Sequence, residues 1–197
     1  MAMGISRPSL YAAYGDKEGL FRTVVARYLA GPGAFVERAL EQPRIGDAIR
    51  ALLIDGAVAF TSPDYPRGCL LVHGALACGG EGAVARELLI ARRLDRQDAI
   101  RARLDRGAGE GDLPAGTDIV LLTEYITATL HGMAVQARSG ASREVLTKVA
   151  EIAFGMLALP LNEPGKPEPE KQPERSARGS RKPVRLQAAQ GQLAMEL

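Results

Sequence analysis

From Leu10 to Leu159 apolar side chains return at three- and four-residue intervals, and no alternating apolar and polar run lasts long enough to make a strand. A chain with this one period buries its apolar stripes helix against helix, so the expected fold class is all-α. Hydrophobic residues make up 46% of the 197. That is enough for a core of ordinary size, and it excludes a collagen, a coiled-coil rod and a wholly disordered chain.

Breakers divide the period into segments. The stripe Leu20, Phe21, Val24, Val25, Tyr28 and Leu29 opens after Asp16, a good N-cap residue, and stops at Gly31-Pro32-Gly33. A helix from about Pro32 to Gln42 follows, ended by Pro43, and another runs from Ile45 to Thr61. Pro63 and Pro66 make a turn of residues 62–66. A short apolar segment, Gly68 to Cys78, ends at Gly79-Gly80. Glu81 to Arg106 is an amphipathic helix with Val84, Leu88, Leu89, Leu94, Ile100 and Leu104 on its apolar side and arginines on the other. Gly107 to Asp112 is expected to be a loop. Two final helices, from about Thr117 to Arg138 and from Ser142 to Leu159, are joined closely enough to form an antiparallel hairpin. From Asn162 to Pro183 prolines alternate with charges and no large apolar residue occurs, the composition of a disordered tail; Val184 to Leu197 reads as a marginal helix.

Several function classes have no foothold. The cysteines, Cys69 and Cys78, make neither a disulfide framework nor a CxxC, and His73 and His131 stand in no metal-ligand spacing. Gly79-Gly80-Glu81-Gly82 follows no strand, so it is not a phosphate cradle. An enzyme, a metal and a cofactor are therefore not expected. No apolar run is long enough to cross a bilayer, and the first twenty residues, with Arg7, Asp16, Lys17 and Glu18, lack the apolar core of a secretory signal. The cytoplasm is the expected address. The formal net charge is only +2, yet a slightly acidic middle lies between two slightly basic ends, where nucleic acid would be met.

The most informative stretch is Gly4-Ile5-Ser6-Arg7-Pro8-Ser9-Leu10-Tyr11-Ala12-Ala13-Tyr14-Gly15-Asp16-Lys17-Glu18-Gly19-Leu20-Phe21. Gly4 suits a tight turn. Ser6 can cap a helix whose second position, Pro8, needs no amide partner, and Gly15 ends that helix after about two turns. Leu10 faces inward, leaving Arg7, Ser9 and Tyr11 to face out. Lys17, in the first turn of the next helix, opposes the helix dipole. Two readings stay open for it: a solvated lysine, or a lysine that binds an anion such as a DNA phosphate together with the free amides.

The run Gly-x-Ser-x-x-x-Leu-Tyr-x-x-aromatic-x-x-Lys-Glu-x-Leu-Phe over residues 4–21 resembles the recognition-helix half of the tetracycline-repressor family of bacterial transcriptional regulators. The resemblance implies a partial helix-turn-helix unit over residues 1–30, a helical effector-binding and dimerisation domain over residues 31–161, and the tail 162–197 beyond it. Operator DNA, a small-molecule effector and a second copy of the chain are the implied partners. By position, Arg7 and Pro8 fall where members touch bases or a thymine methyl, Ser9 at a base or phosphate contact, and Tyr11 and Lys17 where members bind phosphates. With Ser6 at the head of the helix, the expected DNA-binding set is Ser6, Arg7, Pro8, Ser9, Tyr11 and Lys17. Arginine reads guanine through two parallel donors, worth about 1–3 kcal/mol of discrimination. The plainer alternatives are a half-buried Tyr11 and a merely solvated Arg7. Ala13 stands where many members carry His, and Tyr14 where many carry Phe.

The resemblance also implies one and a half helices ahead of Gly4, with Met1-Ala2-Met3 as the tail of the helix before the turn. The expectation is that translation starts upstream of Met1. The alternative is a short form that dimerises and binds its ligand but grips DNA poorly, with Leu10, Leu20, Phe21 and Val24 short of cover. The helix from Thr117 is apolar on more than one side and carries a small strip at Ala128 and Gly132, which reads as one core face and one interface face, the plainer alternative being a helix central to one domain. Paired with the last helix it would build a four-helix bundle across a two-fold axis. A ligand cavity between the middle helices is implied, with Phe60, Cys69, Val72, His73, Leu76, Leu94 and Tyr125 as its expected lining; each is otherwise an ordinary core residue.

Overall fold

The computed structural model describes residues 6–77, 82–157 and 159, apart from the side chains of Arg7 and Ala77. Gly4, Cys78, Gly79, Gly80 and the tail therefore lie outside the described residues. Among the described residues there are eight helices: α1 Arg7–Tyr14, α2 Lys17–Ala30, α3 Phe35–Leu40, α4 Ile45–Phe60, α5 Leu70–Ala77, α6 Ala83–Gly109, α7 Ile119–Arg138 and α8 Arg143–Gly155. The class is all-α.

Local chemistry sets most of the boundaries. Asp118 accepts from Leu121 N at 2.9 Å to open α7, and Ser142 accepts from Val145 N at 3.3 Å to open α8. Gly140, at φ 103°, turns the chain between them. Residues 31–34 are a turn, so α3 is shorter than the periodicity suggests.

The centre of the core is α4, which packs on α3, α7 and α8. Its Ile45, Ile49, Leu52 and Leu53 are wholly buried. Phe35 and Phe60 meet edge to face at 5.6 Å.

The end of α6 departs from expectation for a reason found on α4. The helix runs on through Gly107 and Gly109 instead of ending at Arg106. Gly107 is buried where a Cβ would stand 2.9 Å from Ile45 Cβ, so this glycine lets α6 approach α4 closely rather than marking a loop. The chain turns only at Gly111, at φ 79°. Asp112 then caps α4 from a distance, accepting from Ile45 N at 3.2 Å and pairing with Arg44 at 3.0 Å.

The arginines of α6 are not confined to its outer side either. Arg103 is 4% exposed and donates from Nη2 to the carbonyls of Gln42 and Pro43 at 3.0 and 2.9 Å. It thus satisfies carbonyls just past α3 that no helix bond reaches. Leu94 and Val84, expected on the apolar side, are exposed.

Candidate nucleic-acid interface and ligand cavity

The α1–α2 unit is built by two caps. Ser6 Oγ accepts from Ser9 N at 3.3 Å, Pro8 lies in the first turn of α1, and Gly15 at φ 82° releases the chain from it. Asp16 Oδ1 accepts from Gly19 N at 2.7 Å and opens α2 one residue later, so Lys17 is its first residue. Ser6, Pro8, Ser9, Tyr11 and Lys17 are all exposed, as are Ala12, Ala13 and Tyr14, while Leu10 is half-buried. Tyr11 is therefore not a core aromatic. The backbone of Arg7 opens α1; its side chain lies outside the described residues.

Sequence reasoning missed Gly19. A Cβ there would collide with the carbonyl oxygen of Tyr14, so the residue sets how tightly α2 folds back on α1. Its only signal was a glycine three positions after a capping aspartate.

The far end of α2 is tied to the body. Tyr28 OH donates to Cys69 Sγ at 3.4 Å, and burial pushes the phenol far above its ordinary value, so it stays a donor. Arg96 Nη2 donates to Gly33 O at 2.7 Å just beyond the helix. On the outer flank of α2, Leu20, Phe21 and Val24 line an open groove with Val84 and Leu88.

Between α3, α4, α5, α6 and α7 lies a cavity of about 40 Å³. Phe35, Phe60, Cys69, Val72, Ile100 and Leu130 give it apolar walls, and Arg93, Arg96, Gln97, Thr127 and His131 supply its polar groups. Of the residues expected to line a cavity, Phe60, Cys69 and Val72 meet here. His73 does not: its Nε2 lies 3.1 Å from Ala134 O, and it faces a separate groove with Arg27, Tyr28 and Arg67. Leu76 and Leu94 point to solvent, at 73% and 53% exposure. Tyr125 lies on the α7–α8 surface and donates to Ala153 O at 3.4 Å. The polar residues were missed because arginine normally marks an outer face. Their spacing was visible all the same, since 93, 96, 97 and 100 form one helical stripe.

The α7–α8 hairpin has an apolar face outward. Tyr125, Gly132, Val149 and Ile152 share a shallow surface there, and Leu121, Val145 and Met156 are also exposed. Among the described residues no helix is long and apolar enough to cross a membrane.

Comparison with known proteins agrees with this architecture. Residues 46–153 match the family model described as "Tetracyclin repressor-like, C-terminal domain". The HTH-type transcriptional repressor ComR of Escherichia coli (strain K12) is 30% identical over 151 residues, covering 76% of this chain and 72% of its own. A cysteine mutant of the regulator CifR, solved with 26-bp double-strand operator DNA, is 40% identical with a TM-score of 0.74, over 78% of this chain and 81% of that one. A regulator from Rhodococcus sp. RHA1 is 36% identical with a TM-score of 0.59, over 79% and 84% of the two chains. The chain belongs to the tetracycline-repressor family of transcriptional regulators.

Proposed function

We propose that the chain is a ligand-responsive repressor that binds operator DNA as a homodimer. The observation that carries this reading is the exposed, doubly capped α1 with Lys17 at the adjoining helix start, in a chain similar to one solved on operator DNA. On this reading Ser6, Arg7, Pro8 and Ser9 meet the groove, while Tyr11 and Lys17 hold phosphates and fix register. A lysine at a helix N-terminus is unfavourable toward the dipole alone, and a phosphate there reverses the sign.

The exposed apolar face of α7 and α8 supports dimerisation. Residues 1–30 would read DNA, residues 31–161 would bind the effector and the second copy, and the tail 162–197 would lie outside both tasks. The cytoplasm is the setting this function requires. The effector site is the cavity walled by Phe60, Cys69 and Val72. Tyr28, Arg96 and Gly33 join that cavity to the end of α2, so a ligand preferring one placement of α2 would shift the spacing of two recognition helices. Only such differential affinity can release DNA.

The cavity and the outward apolar face of α7 and α8, neither of which involves α1, also suit a second reading, a ligand-binding dimer that does not grip DNA. A mobility-shift titration on the DNA upstream of the gene, at low salt, separates the two. Sequence-selective retardation that weakens in Tyr11→Phe and Lys17→Gln supports the repressor. No retardation at low salt supports the second reading.

A further inference from the structure

Among the described residues six buried side-chain polar atoms lack a hydrogen-bond partner, and three of them belong to residues that line this cavity. Arg93 Nε, Arg96 Nε and Thr127 Oγ1 are buried without a hydrogen-bond partner. Buried polar groups are nearly always satisfied, so three on residues lining one cavity call for an occupant.

Thr127 stands out among the threonines of its helix. Thr123 donates back to Ile119 O at 2.7 Å and Thr129 to Tyr125 O at 2.8 Å, the usual resort of a helical threonine. Thr127, at 7% exposure, makes no such bond. Arg93 forms no ion pair among the described residues. Arg96 is held by Gly33 O at 2.7 Å and by a long contact to Glu37 at 3.7 Å, which leaves its Nε unengaged.

All three orphans can donate, and no Asp or Glu lines the cavity. Gln97 is engaged elsewhere, donating to Glu124 at 2.5 Å. Burial, with Arg93 beside it, holds the His131 imidazole below its ordinary value, so this ring adds no positive charge near neutral pH. Arg96 shares its charge with Glu37 at 3.7 Å, so the uncompensated positive charge beside the cavity is that of the Arg93 guanidinium.

We infer that the cavity binds a small carboxylate with a short apolar body, its oxygens taken by Arg93, Arg96 and Thr127 and its carbons by Phe60, Val72 and Leu130. This inference rests on the reading of the cavity as the ligand site. A volume of about 40 Å³ is roughly three times what one water needs, which limits the occupant to an acid of a few carbons. The apolar walls select against inorganic phosphate, whose second charge would be desolvated without a further partner. A forked guanidinium matches a carboxylate in a way it cannot match a neutral amide.

Isothermal titration of the full chain with sodium isobutyrate, isobutyramide and inorganic phosphate tests this. Isobutyrate is expected to bind about tenfold or more tightly than either of the others. Arg93→Met should remove that preference, Arg93→Lys should restore part of it, and Thr127→Val should weaken isobutyrate binding. A circular dichroism melt on each variant confirms folding. Equal binding of isobutyrate and isobutyramide, no isobutyrate binding, or an unchanged preference in a folded Arg93→Met overturns the inference. Release of operator DNA is read separately. Isobutyrate binding that leaves the DNA complex intact supports the carboxylate site and removes its role in release, whereas DNA release by isobutyramide alone keeps the effector cavity and overturns the carboxylate.

Discussion

Arg103 joins two distant stretches of chain with a single guanidinium. It reaches Gln42 and Pro43 from the last turns of α6, and Glu110 stands 3.9 Å from its Nη1. Arg103→Met keeps the bulk but strands two carbonyls, and charged hydrogen bonds of this kind are worth about 1.5–3 kcal/mol. Urea unfolding should therefore show a loss of about 3 kcal/mol; an unchanged midpoint would mean that water replaces the guanidinium. His131 makes a pH-dependent contribution. Its ordinary value is 6.5, and burial followed by Arg93 lowers it in the folded chain. The unfolded chain then takes up the proton first as pH falls through 6.5, so the His131 contribution is intact above that value and lost below it. Thermal melts from about pH 7.5 to about pH 5.5 should fall in midpoint, and His131→Gln should flatten the slope. Neither residue could be placed from sequence. An arginine or histidine within an amphipathic helix has a default outward reading, and only the tertiary neighbours of α6 and α7 reverse it.

At the level of the element, the α1–α2 turn depends on one glycine. Because a Cβ at position 19 would meet Tyr14 O, Gly19→Ala must open the angle between the two helices. The body of the molecule, centred on α4, does not depend on that angle. The expected outcome is a global unfolding midpoint near that of the wild type together with a loss of operator affinity of about tenfold or more. Equal affinity would show that the angle is immaterial to DNA binding. The short helix α1 was legible because its signals are local: Ser6, Pro8, Gly15 and Asp16 each act on neighbouring backbone. The end of α6 was not legible. Gly107 reads as a breaker by propensity, but its packing against Ile45, 62 positions away in the numbering, overrides that preference. The cavity was half legible, with apolar walls readable from helical period and donors hidden on a stripe that looked like surface.

For the whole molecule, the account requires a symmetric pair. Ile152, beside Val149 and Tyr125, is an apolar side chain left 69% exposed. Ile152→Asp leaves the core untouched and places a charge on the proposed two-fold. Sedimentation equilibrium should show dimer dissociation strengthened by about a hundredfold, the scale of a central interface residue. An unchanged dimer would move the interface elsewhere. The apolar excess of α7 was readable from its sequence, since a helix with one wet face does not need Val120, Tyr125 and Ile126 together.

The most direct test of the central claim is a hydroxyl-radical footprint of the chain on the DNA upstream of its gene. Two α1 helices held by one dimer should protect two patches on the same face of the duplex, about 34 Å apart or a whole multiple of that. The protection should be lost in Ile152→Asp and in Lys17→Gln. A single protected patch, or protection that persists when the dimer is broken, would contradict the account.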